Sequence, residues 1–269
     1  MSDTSLLKVF TFFGMWAVIW LPVALLVARL IDWQPNQPLI PKQKLILLAS
    51  LYILVPLIMW WKIKGESLSL ASLGLNWQPS TLTSLALGLV FSTASLAIVF
   101  SLESLFGLVN WRWENSQLLS VLLLPILGLS LLISLIEELV FRGYVFSTLR
   151  IDYPNWLAAT ISSAIFALLH LIWERKQTLP QLPGLWLMGM VLVGARLVDG
   201  GSLNLAWGLH AGWIWGLTCL DSAQLITYLK KGESWITGIN QQPLAGVAGI
   251  FCLILTAVGL WLLRSNWFY

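Results

Sequence analysis

The stretch LLSVLLLPILGLSLLISLIEELVFRG, Leu118–Gly143, decides the fold. It is apolar almost without interruption as far as Ile136, and then Glu137, Glu138 and Arg142 follow within one or two helical turns. About 20 mostly apolar residues in helical form cross a bilayer core about 30 Å thick, so the run predicts a membrane span. Ionisable groups at membrane depth cost roughly 2.5–3.5 kcal/mol each on insertion scales. A polar site inside a helical bundle would offset that cost.

Similar runs recur on both sides: Leu7–Ala28, Leu45–Trp61, Leu82–Val109, Trp156–Trp173, Leu182–Val198, Leu203–Leu220 and Leu244–Leu263. With Leu118–Ile136 they make about eight transmembrane helices. The third and fourth meet across a short break, Asn110–Asn115. The 269 residues are 58% hydrophobic and 10% charged, outside the range of soluble domains. The expected fold class is therefore all-α, a polytopic transmembrane helical bundle in an integral, multi-pass membrane location.

The first run carries Lys8 at its start, yet it is too long for a signal sequence and no small-x-small cleavage site follows, so it reads as a retained helix. Cys219 and Cys252 lie in apolar runs and read as buried small hydrophobes. No basic run exists, which argues against nucleic acid as a partner. Trp60, Trp61, Trp111, Trp113, Trp173, Trp261 and Trp267 cluster at run ends, as interfacial anchors do. Alternating helices would put Lys8, Lys62, Lys64, Arg150 and Arg264 on one side. Lys42, Lys44, Arg112, Arg175, Lys176, Lys230 and Lys231 would fall on the other, so charge assigns no orientation.

Residues 1–269 read as one membrane domain in three parts. Residues 1–117 supply N-terminal helices with a single acidic group inside a span, Glu103; residues 118–221 hold nearly all the intramembrane ionisable groups; residues 222–269 form a polar loop and the last helix. Within 118–221, Glu138 and Arg142 are four apart and can pair on one helix face. Glu137 lies about 100° round the helix, without that partner, and suits general acid–base chemistry. The plain alternative is an ion-pair network at a helix end. His170 follows Phe166 by four residues, and His210 is flanked by Gly208 and Gly212, which permit close helix approach. Each histidine alone could be a hydrogen-bonded core residue. One acid and two imidazoles on three helices can also converge: two His and one Glu form the ligand set of a catalytic zinc site. The same groups without metal can activate water and bind an oxyanion.

Glu137-Glu138-x-x-x-Arg142, then Phe166-x-x-x-His170, then Gly201-Ser202-Leu203 running into His210, resemble the CAAX protease and bacteriocin-processing (CPBP) family of intramembrane endopeptidases, which includes the type II CAAX prenyl endopeptidases. The resemblance covers roughly residues 118–221. It implies that Glu137 activates the attacking water, that His170 and His210 position that water, bind a metal or stabilise the oxyanion, and that Glu138 and Arg142 fix the motif's geometry. Phe166 and Asn204 are expected in support. It implies a divalent metal such as zinc, held by Glu137, His170 and His210, or a metal-free glutamate mechanism, and the sequence leaves both open. The expected partners are the lipid bilayer and a peptide or lipidated protein substrate.

One position departs from the family pattern. Four residues after the last histidine the family carries Asn or Asp, and here stands Ile214, which has no donor. Asn204 and Thr218 are nearby but wrongly spaced. Two further readings stay open: a non-catalytic membrane protein of the same fold acting in self-immunity or as a scaffold, and a transporter, since buried Glu, Arg and His also mark proton relays. The transporter would need broken helices in two repeated halves, which the sequence lacks.

Overall fold

The computed structural model describes residues 4–34, 37, 39–172, 175–229 and 233–267. Eight long helices follow one another: α1 (Ser5–Leu30), α2 (Pro41–Gly65), α3 (Pro79–Leu105), α4 (Ser116–Glu138), α5 (Asn155–Leu169), α6 (Leu182–Val198), α7 (Asn204–Ser222) and α8 (Val247–Trp267). The starts are written in the sequence. Pro41 and Pro79 open α2 and α3, where the missing N–H has no intrahelical partner to lose. The Gln43 side chain accepts the Ile40 N–H and Thr81 Oγ1 the Gln78 N–H, while Thr4 caps α1.

Six of the candidate spans are long and apolar enough to cross a bilayer, as expected of a helical bundle, and the chain is an integral multi-pass membrane protein. The seventh and eighth expected spans differ from these six. α7 carries Asn204, His210 and Asp221 and is largely buried among other helices, and the apolar part of α8, Val247–Leu262, is shorter. The run expected to reach Val109 ends its helix at Leu105. Val109–Trp111 is instead a strand, β1, paired antiparallel with β2 (Ile226–Tyr228), Val109 opposite Tyr228. Part of the expected polar loop after residue 221 is thus ordered. Trp173, Lys230 and Lys231 lie outside the described residues, as do the side chains of Arg264 and Trp267.

Two hydrogen bonds show how the ends alternate. The Ser5 N–H donates to Asp152 Oδ2 just beyond α4, and the Ser84 hydroxyl donates to Asp199 just beyond α6. The starts of α1 and α3 therefore share a side with the far ends of α4 and α6, while the β1–β2 ladder joins the ends of α3 and α7.

α7 is the central helix. Trp207 and Trp215 donate their indole N–H groups to the Leu131 and Leu123 carbonyls of α4, and Trp213 donates to Ser95 of α3. Gly88 on α3 faces Gly208 on α7 so closely that a Cβ at residue 88 would lie 2.5 Å from Leu205 O and 2.6 Å from Leu209 N. Small residues let helix backbones approach in this way, and here they set where the next residue, His210, stands.

α4 does not end at Glu138. It runs on through a π-helical segment, Leu139–Val145, into a last turn at Phe146–Leu149. The Phe146 N–H bonds Phe141 O five residues back, and the Arg142 carbonyl takes its hydrogen bond from Arg196 Nη1 of α6. Arg196 also donates to Gly201 O and Ser147 Oγ, tying α6 and its following loop to the π segment. Aromatic rings close around that segment: Phe12 against Tyr144 at 4.8 Å and Phe141 against Phe166 at 5.1 Å between centroids. These rings pack around the segment that carries Arg142.

Candidate active site

Glu137 and Glu138 close the α-helical part of α4 and point to different neighbours. Glu138 is fully buried. Its Oε1 accepts from Arg142 Nη1 at 3.1 Å and from His210 Nδ1 at 2.8 Å. The Arg142 guanidinium, also fully buried, lies 4.4 Å from the centre of the Phe166 ring, a cation–π contact that adds to the ion pair. Phe166 in turn meets both imidazoles edge-on, His170 at 4.6 Å and His210 at 5.9 Å.

Glu137 faces the other way, into a cavity of about 530 Å³ among α1, α2, α4, α6 and α7. Its Oε1 accepts the Tyr52 hydroxyl from α2, and its Oε2 stands 3.5 Å from His210 Nε2. His170 lines the same cavity from the C-terminal end of α5. The three helices expected to bring one acid and two imidazoles to a shared hollow do bring them there. The walls are apolar, with Trp16, Leu51, Leu185 and Leu217, and polar groups return at Thr178, Gln181 and Gln242.

Hydrogen-bond partners fix the imidazole protons. His170 Nδ1 faces the Phe166 carbonyl at 2.8 Å, and a carbonyl only accepts, so Nδ1 carries the hydrogen. His210 Nδ1 faces the Glu138 carboxylate by the same logic. A neutral ring at either position then offers an acceptor, Nε2, on its other edge.

Glu137, His170 and His210 share the cavity, yet among the described residues no three His, Cys, Asp or Glu side chains are gathered as a metal-ligand group. Among the described residues the zinc alternative therefore finds no fitting ligand set. Asn204 is buried at the start of α7, where its Nδ2 donates to Thr81 Oγ1; it ties α7 to α3 and is not among the cavity-lining residues, nor is Thr218. Ile214 does line the cavity, so the family's polar position is occupied there by an apolar side chain.

Two residues escape a reading of the sequence. Tyr52 sits alone in the apolar run of α2, where a tyrosine signals little. Arg196 lies at the edge of its span, where an arginine reads as an interfacial anchor, and only the open carbonyl of the π segment explains its burial. No curated protein and no solved structure matches the chain. Residues 119–216, which carry both carboxylates, Arg142 and both histidines, match the family described as type II CAAX prenyl endopeptidase Rce1-like, in agreement with the motifs.

Proposed function

We propose that the chain is an intramembrane endopeptidase that hydrolyses a peptide bond of a membrane-embedded or lipidated protein. The observation that carries this reading is Glu137, a carboxylate inside an apolar bundle that faces a cavity beside His210 and Tyr52. Glu137 Oε2 and a neutral His210 Nε2 are both acceptors, 3.5 Å apart, and water is the small molecule that donates to two acceptors at once. Such a water loses a proton to Glu137 as its oxygen attacks the substrate carbonyl carbon. The carbonyl electrons move to oxygen; on collapse the C=O bond reforms, the C–N bond breaks, and Glu137 returns the proton to the leaving amine. His170 presents its Nε2 edge to the same space, and the apolar walls suit an apolar peptide or lipid-modified segment.

The test compares parent and Glu137→Gln chains made in the same cells, reading new protein N-termini in the membrane fraction by mass spectrometry. New N-termini seen with the parent and missing with Glu137→Gln support the reading; identical sets refute it. The second reading is a non-catalytic membrane protein of this fold, favoured by Ile214 in the cavity wall. It predicts that Glu137→Gln keeps the full cellular phenotype.

A further inference from the structure

We infer that Tyr52 supplies the oxyanion hydrogen bond that Ile214 cannot; the inference rests on the hydrolase reading above. The cavity lacks a donor at residue 214. Ile214 faces it with a hydrocarbon side chain. His170 and His210 each commit Nδ1, to Phe166 O and to Glu138. Among the described residues, the hydroxyl that touches Glu137 is that of Tyr52, from a helix outside the motif-bearing segment.

The contact explains how one phenol serves two partners in turn. At rest the Glu137 carboxylate is its acceptor. When water gives its proton to Glu137, the carboxyl becomes neutral and a weaker acceptor, while a full negative charge builds on the substrate oxygen beside it. Hydrogen bonds to ionised acceptors are roughly twice as strong as neutral ones, so the O–H turns to the oxyanion. No proton leaves Tyr52; it donates a hydrogen bond throughout and returns to Glu137 when the carboxylate is regenerated. A buried phenol needs a partner in any case. What distinguishes a reaction role is exchangeability with the donor missing from residue 214.

The experiment follows the rate at which the Glu137-dependent N-termini appear when the full-length chain in lipid vesicles is mixed with a solubilised membrane-protein fraction. Tyr52→Phe is expected to be slower by about 100-fold, the loss typical of one oxyanion donor. Adding Ile214→Asn to Tyr52→Phe should recover about tenfold or more of that loss, because an amide there restores a donor. Ile214→Asn alone should not show the roughly 100-fold gain that restoring a missing donor would bring, since the donor role is already filled. Three results overturn the proposal: Tyr52→Phe at the parent rate while Glu137→Gln is inactive, a double variant no faster than Tyr52→Phe, or a gain of about 100-fold for Ile214→Asn alone. The last needs no folded Tyr52→Phe protein. Should Glu137→Gln cleave like the parent, the hydrolase reading falls first and Tyr52 with it.

Discussion

Gly88→Ala is a demanding test because residue 88 is outside the cavity and outside the motif-bearing segment, yet one residue of α7 links it to His210. An alanine Cβ there would sit 2.5 Å from Leu205 O, 2.6 Å from Leu209 N and 2.8 Å from Gly208 Cα. All three are backbone atoms, and ordinary contact begins at 3.4 Å, so no side-chain rotation relieves the overlap. α3 and α7 must separate by about 1 Å, and overpacking of this kind costs typically 1–3 kcal/mol. His210 follows Leu209 directly, and its Nε2 lies 3.5 Å from Glu137. Displacing a positioned group by about 1 Å can cost about 10²-fold in rate. The assay pairs thermal unfolding in lipid with the N-terminus readout. Gly128→Ala serves as the control, since a Cβ at that α4 position meets nothing within 4 Å. Gly88→Ala should melt below both parent and control and cleave far more slowly. If its melting temperature and rate equal those of Gly128→Ala, the argument from helix approach to site geometry is refuted.

Other perturbations separate the structural from the reacting groups. Glu138→Gln strips the buried Arg142 of its counter-charge and should destabilise by about 3–5 kcal/mol, whereas Glu137→Gln should melt near the parent; equal melting of the two would contradict the division. Arg196→Met leaves the Arg142 and Gly201 carbonyls without their donor, at about 1–3 kcal/mol for each group left unmet, and Arg196→Lys should not restore stability because one ammonium cannot replace the fork. Faster amide exchange around Phe146 would report that loss, and parent-like exchange would exclude it. Asp152 lies outside the spans, and the hydrogen bond from the Ser5 N–H holds its carboxyl below the usual value. A depressed folded-state pKa means that its contribution is complete above the ordinary carboxylate range, near about pH 4, and is lost as pH falls through the depressed value. Protection of the first turn of α1 should therefore fall at strongly acid pH in the parent. A pH dependence unchanged in Asp152→Asn would count against the clamp.

How much of this the sequence displays depends on the length scale of each signal. The helices are legible because about 20 apolar residues in a row have few alternatives, and the starts of α2 and α3 because Pro41 and Pro79 have one comfortable place in a helix. Glu137, Glu138, Arg142, His170 and His210 stand out because each is costly where it lies. The strands at Val109–Trp111 and Ile226–Tyr228 are three residues each, too short for alternation to register. Regular 3.6-residue spacing foretells the Glu138–Arg142 pair but not the π segment beyond it, whose displaced carbonyl calls for Arg196. Tyr52 is 85 residues from Glu137 in the chain, and no local pattern encodes a meeting at that separation.

The adjacent carboxylates owe their different fates to one ring. His210 touches Glu138 through Nδ1 and approaches Glu137 through Nε2, so whatever fixes the first edge fixes the second. A carboxylate at Glu138, held by Arg142, accepts only, so Nδ1 donates to it and Nε2 is the edge turned toward Glu137. Glu138 pairs with Arg142 and His210, while Glu137 faces the cavity. The motif's second glutamate thus sets which edge of His210 the first one meets.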